Sequence, residues 1–143
     1  ISSLQQKILR HPYSLLNLIL IVIILMVLLY SGIFSPEKSD YPLHSAYTEI
    51  AGHESFSTGL SRSFSEIVRL NFRKAHEYNP YGIRIFLFFV VQLFFRINFF
   101  MIARNRTPDP SLITLDIVLS AGVFLIAFWP FVVNAVKVIP GWF

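Results

Sequence analysis

The sequence predicts an all-α membrane protein, with three transmembrane helices and an amphipathic interfacial helix in the loop between the first and second. Three observations carry that prediction. Of 143 residues, 55% are hydrophobic and 14% charged, which is not the balance of a soluble domain. The apolar residues come in unbroken runs such as Leu18 to Leu29, where a soluble fold keeps them to one face of each element. Three such runs are each longer than the roughly 17 residues that a span requires.

The first span reads from 15 to 34, interrupted only by Asn17 and the Tyr30-Ser31-Gly32 step. At about 1.5 Å per residue it crosses a hydrocarbon layer of roughly 30 Å. A signal peptide is the competing reading, because Lys7 and Arg10 precede the apolar run. Its core would be too long, and Ser31-Gly32-Ile33-Phe34 is a poor cleavage site. The second span reads from 83 to 103 and is introduced by Asn79-Pro80, an acceptor for first-turn N–H groups followed by the residue best tolerated at the first helical position. A polar turn, Arg104 to Ser111, carries two prolines and leads to the third span, 112 to 136, which contains Pro130. Spans two and three therefore form an antiparallel hairpin within a single membrane domain, 1–143.

Between spans one and two, residues 35 to 81 are too few and too thinly apolar to build an independent core. Within them Leu60, Phe64, Ile67, Val68 and Phe72 recur at helical spacing, while Ser61, Ser65, Glu66, Arg69 and Arg73 occupy other faces. That pattern fits a helix lying at headgroup level and fits equally a cap packed over the spans. By the positive-inside rule, Lys7 and Arg10 before the first span and Arg104 and Arg106 in the short second loop put both segments on the cytoplasmic side and leave the 35–81 loop outside, although that loop carries five basic residues of its own.

The loop also carries a motif spacing: Ser55-Phe56-Ser57-Thr58-Gly59-Leu60-Ser61-Arg62, then Phe72, Ala75 and Tyr78-Asn79-Pro80 running into span two. This resembles the domain-of-unknown-function family 2752, small bacterial membrane proteins marked by Cys-Pro-x-Cys-Gly-x-Thr-Arg and a downstream Asn-Pro before a hydrophobic helix. The resemblance covers roughly residues 34 to 90. Gly59, Leu60, Arg62, Asn79 and Pro80 fall on the motif, and Ser61 stands where the family has Thr. The motif cysteines are Ser55 and Thr58 here, and the Pro between them is Phe56, so no metal or redox chemistry of those cysteines carries over. The resemblance implies a bacterial inner membrane and brings no activity. Read physically, Gly59 permits a tight or left-handed turn, Asn79-Pro80 caps the next span, and Arg62 either organises the loop or binds a phosphate or carboxylate.

Ionisable residues within spans are costly and call for partners. Arg96 lies about two turns inside one end of span two, and Asp116 about one turn inside the adjoining end of span three. An ion pair closing the hairpin is the leading expectation. Snorkelling of Arg96 to the headgroups and a proton or ion pathway are the alternatives. Gln92, one turn from Arg96, extends this polar seam or bonds a partner subunit.

The sequence contains no cysteine, which removes thiolate nucleophiles, disulfides and thiolate metal sites. His44, His53 and His76 share the loop with Glu49, Glu54 and Glu77 without a ligand spacing, so neither metal nor cofactor is expected. A net charge of +4 is ordinary for a membrane protein and gives no support to nucleic-acid binding. No nucleophile elbow, phosphate loop or paired-carboxylate constellation is present, so the chain is not expected to be an enzyme. Lipids and other membrane subunits are the expected partners. The first functional reading is an accessory or assembly subunit of a larger membrane complex, because the phenylalanines of span two give it apolar surface all round. The second is a homo-oligomeric transporter or lipid-handling protein built on the polar seam, and a membrane enzyme is a distant third.

Overall fold

A computed structural model describes residues 11–33 and 59–138, all of the regular structure in it being helical. We number the helices α1 (Pro12–Ile33), α2 (Leu60–Val68), α3 (Phe72–Tyr78), α4 (Gly82–Asn105) and α5 (Pro110–Val138). Helices α1, α4 and α5 are long and apolar enough to cross a membrane. The predicted spans are thus present, each starting earlier than read from hydropathy alone.

The starts are set by local chemistry. Pro12 opens α1 where a missing N–H costs nothing, and the Leu15 N–H reaches the His11 carbonyl at 3.2 Å. Phe34, the predicted end of the first span, lies outside the described residues. Asp109 opens α5: its Oδ1 accepts from the Leu112 N–H at 2.8 Å and from the Ser111 hydroxyl at 2.9 Å, with Pro110 first in the helix. Those two donors hold the Asp109 carboxyl below its ordinary range, the Leu112 N–H foremost. Pro130 leaves α5 continuous while removing one backbone donor from its interior.

Burial is inverted relative to a soluble helix. On α1, Ser14, Asn17 and Ser31 are buried while Leu16, Ile19, Met26 and Leu29 are exposed. On α4 and α5 the same holds for Gln92, Arg96 and Asp116 against Phe94, Met101, Val118 and Ile126. Apolar side chains cost nothing against lipid, whereas polar groups there need partners, so the polar residues turn inward.

The chain divides into two compact units, to each of which α1, α4 and α5 contribute a segment. One comprises the described residues of Ile1–Met26 and Phe88–Ala127, the other those of Val27–Leu87 and Phe128–Phe143. In the second, α2 packs against α3 and buries Phe64, Ile67 and Ala75, with Phe64 meeting Phe86 edge to face at 5.3 Å.

The periodicity from Leu60 to Phe72 resolves into two helices where one amphipathic helix was expected. Helix α2 stops at Val68, Leu70 adopts φ 63°, and Phe72 begins α3. Only Phe64 and Ile67 of the apolar stripe turn inward, whereas Val68 and Phe72 are exposed. Ser65 and Glu66, expected on outer faces, are buried because each is bonded: Arg69 donates to the Ser65 carbonyl and hydroxyl, and the Asn71 amide donates to Glu66 Oε2 at 2.8 Å.

Candidate functional site

The first unit is organised around Arg96 and Asp116. Helix α4 carries Gln92 and Arg96 one turn apart, α5 carries Asp116 and Ser120 at the same spacing, and α1 brings Tyr13 and Asn17, again four residues apart. Arg96 Nη1 donates to Asp116 Oδ2 at 2.9 Å and to Asn17 Oδ1 at 2.8 Å. Its Nη2 donates to Asp116 Oδ1 and, at 2.6 Å, to the Ser120 hydroxyl. The pair is thus bidentate, the geometry that a planar guanidinium favours with a carboxylate.

Asp116 receives two further donors. The Tyr13 hydroxyl reaches Oδ2 at 2.6 Å, and the Ser120 hydroxyl reaches Oδ1 at 3.0 Å. Two donors therefore occupy each carboxylate oxygen, which fills the acceptor capacity of an ionised carboxylate. Asn17 has no exposed surface, and its amide nitrogen donates to the Tyr13 carbonyl at 3.0 Å, fixing the side-chain oxygen toward Arg96. The guanidinium carbon also lies 5.8 Å from the Phe99 ring centroid. Arg96 Nε is buried without an acceptor among the described residues.

Gln92 sits at the edge of this cluster and donates to the Ser120 carbonyl at 3.4 Å, a long bond. Beside it lies a cavity of about 320 Å³ with Leu20, Ile23, Ile24, Phe88 and Phe89 in its walls. Gln92, Arg96 and Ser120 complete its lining. Of the other polar residues in the spans, Asn98 bonds back to the Phe94 carbonyl at 2.7 Å and Arg84 is exposed.

In the second unit the two halves of the loop motif meet. Gly59 has φ 77°, and a Cβ there would lie 2.4 Å from the Tyr78 carbonyl oxygen. Arg62 lies over the Tyr78 ring, 5.1 Å from its centroid. Asn79 ends α3 by donating its N–H to the Ala75 carbonyl, and it starts the turn into α4 by accepting the Tyr81 N–H on Oδ1 at 2.9 Å. Pro80 is exposed within that turn and precedes Gly82, so it does not occupy the first helical position as expected. Ser63 closes the arrangement by donating to the Ala75 carbonyl at 2.7 Å, and a Cβ at Gly82 would collide with its hydroxyl.

Arg96 and Asp116 are thus brought together, Gln92 is adjacent, and Gly59, Arg62, Asn79 and Pro80 gather around one turn in the other unit. Tyr13, Asn17 and Ser120 are partners that the sequence reading missed. Their signal was the repeated four-residue spacing of polar residues in each span. Ser55, Phe56, Thr58, His44, His53, Glu49 and Glu54 lie outside the described residues. Among the described residues no group of His, Asp or Glu side chains converges to hold a metal.

No protein-family model, no curated protein and no solved structure matches this chain.

Proposed function

We propose that this chain is a non-catalytic accessory or assembly subunit of a larger complex in a bacterial inner membrane, its loop helices lying at the membrane interface and its relatives being those of family 2752. The observation that carries the proposal is the saturation of Asp116. A proton or ion relay through Asp116 needs a carboxylate oxygen open to its cargo, and here both carboxylate oxygens are filled by Tyr13, Arg96 and Ser120. Such a cluster fastens helices to one another. The outward surface is compatible with the reading, since Phe94, Met101, Ile117, Val118, Ile126 and Trp129 present side chains that either sister helices or lipid would cover.

The test is extraction in a gentle detergent followed by size-exclusion chromatography. A second chain in fixed stoichiometry, lost when Phe94 or Ile126 is changed to a bulkier or polar residue, supports the proposal. A closed assembly of this chain alone favours the second reading, a homo-oligomeric transporter or lipid-handling protein, for which the cavity beside Gln92 is the supporting feature.

A further inference from the structure

The corner between α2 and α3 holds a leucine where helix geometry asks for glycine. The Leu70 N–H bonds the Ile67 carbonyl and the Asn71 N–H bonds the Glu66 carbonyl, each at 2.9 Å, which is the paired arrangement of a Schellman helix end. Its left-handed position belongs to glycine, because a Cβ there crowds the following carbonyl. Leu70 nonetheless occupies it at φ 63° and is 75% exposed, so little packing among the described residues offsets the strain. Val68 and Phe72 are about half exposed on either side of it.

The surroundings indicate what covers this corner. Val68 Cγ1 lies 3.7 Å from where a Cβ on Gly32 would be, and Arg69 Nη2 reaches the Gly32 carbonyl at 3.5 Å. Gly32 is one residue from the end of α1, a helix long enough to span the bilayer, so the corner stands at the mouth of that span. Arg73 and Lys74 follow at once and are exposed, Arg73 being joined to Glu77 by an exposed contact of 3.6 Å.

We propose that Val68 to Phe72 is a membrane-anchoring tip: Leu70, flanked by Val68 and Phe72, enters the headgroup–acyl boundary beside the mouth of the first span, and Arg73 and Lys74 engage anionic lipid phosphates. An apolar tip ringed by basic side chains is complementary to that layer. The backbone strain is retained because glycine, the residue the turn favours, would leave nothing to insert. This inference rests on the interfacial placement of the loop helices and is independent of the accessory-subunit reading.

The absence of native cysteine allows single nitroxide labels without background. Leu70→Cys, Phe72→Cys, Lys74→Cys and Ile33→Cys are reconstituted in phosphatidylcholine nanodiscs with and without phosphatidylglycerol, and relaxation by oxygen and by a water-soluble nickel chelate is compared. Labels at 70 and 72 are expected to favour oxygen, and the label at 74 to favour nickel. Arg73→Gln and Lys74→Gln should each lower the ratio of inserted to withdrawn tip roughly fivefold in the anionic discs and leave it unchanged in the zwitterionic ones. If labels at 70 and 72 meet nickel while the label at 33 reads headgroup depth, the corner projects into water and the tip is refuted. If the label at 74 lies far above the headgroups, the interfacial placement itself fails, and the tip with it. Shielding of position 70 from both reagents would mean that a second copy covers it, which also overturns the proposal.

Discussion

Asn17, in the first span, accepts a hydrogen bond from Arg96 at 2.8 Å and so fastens α1 to a charge pair whose members belong to α4 and α5. The guanidinium loses one of its acceptors if Asn17 is replaced. Asn17→Leu should therefore lower stability by about 1 to 3 kcal/mol, the range for a buried donor left unsatisfied. Tyr13→Phe should cost less, because Asp116 keeps its donors from Arg96 and Ser120. Thermal unfolding in detergent, followed by circular dichroism, measures both.

Gly59 and Gly82 hold the motif turn by absence of a side chain. At Gly59 a Cβ would meet the backbone oxygen of Tyr78, which cannot move aside, in a left-handed conformation that alanine disfavours. At Gly82 it would meet the Ser63 hydroxyl, whose bond to the Ala75 carbonyl would then be lost. Gly59→Ala should be the more damaging of the two, and Gly82→Ala should be partly rescued by Ser63→Gly. Yields of monodisperse protein after detergent extraction should rank wild type, Gly82→Ala, Gly59→Ala.

Leu70→Gly should raise stability in detergent, by roughly 1 kcal/mol, because the left-handed strain disappears and little packing among the described residues is lost. In the same variant the corner at position 70 should lose its contact with the headgroup–acyl boundary of anionic bilayers. A rise in melting temperature with unchanged lipid contact would separate the strain from the tip.

Asp109 caps α5 from outside the span. Its carboxyl is held below the ordinary range by the Leu112 N–H, so the folded protein binds its proton less readily than the unfolded chain does. The capping contribution is fully present above the unfolded value of about 4 and fades as pH falls through the lowered folded value. The difference in melting temperature between wild type and Asp109→Asn should accordingly be constant near neutrality and shrink toward pH 3. A difference independent of pH would mean that folding does not lower the Asp109 pKa and that the cap does not depend on its charge.

The three spans were legible because hydropathy and length alone specify them, and the Arg96–Asp116 meeting followed from depth and opposite charge in a hairpin. The partners from α1 were not legible, since Asn17 reads only as an interruption of the first span and Tyr13 lies before its apolar run, and nothing in the residue types shows that this end of α1 meets the hairpin. The corner at Leu70 was hidden for a different reason. Helical periodicity continues through Leu60 to Phe72 without glycine or proline, so nothing in the residue types announces a left-handed break. Burial of Ser65 and Glu66 escaped notice likewise, because hydropathy does not record that Arg69 and Asn71 supply their bonds.

The proposed role of Arg96 and Asp116, fastening helices to one another, is measured most directly by a double-replacement cycle. Arg96→Leu and Asp116→Leu alone should each leave an uncompensated buried charge, at about 3 to 5 kcal/mol, and sharply reduce the amount of folded protein recovered from membranes. The double replacement removes both desolvation costs together and should recover much of that loss, with assembly into the proposed complex intact. Single variants as abundant as wild type, or a double variant that folds while an activity of the proposed complex is lost, would contradict that role.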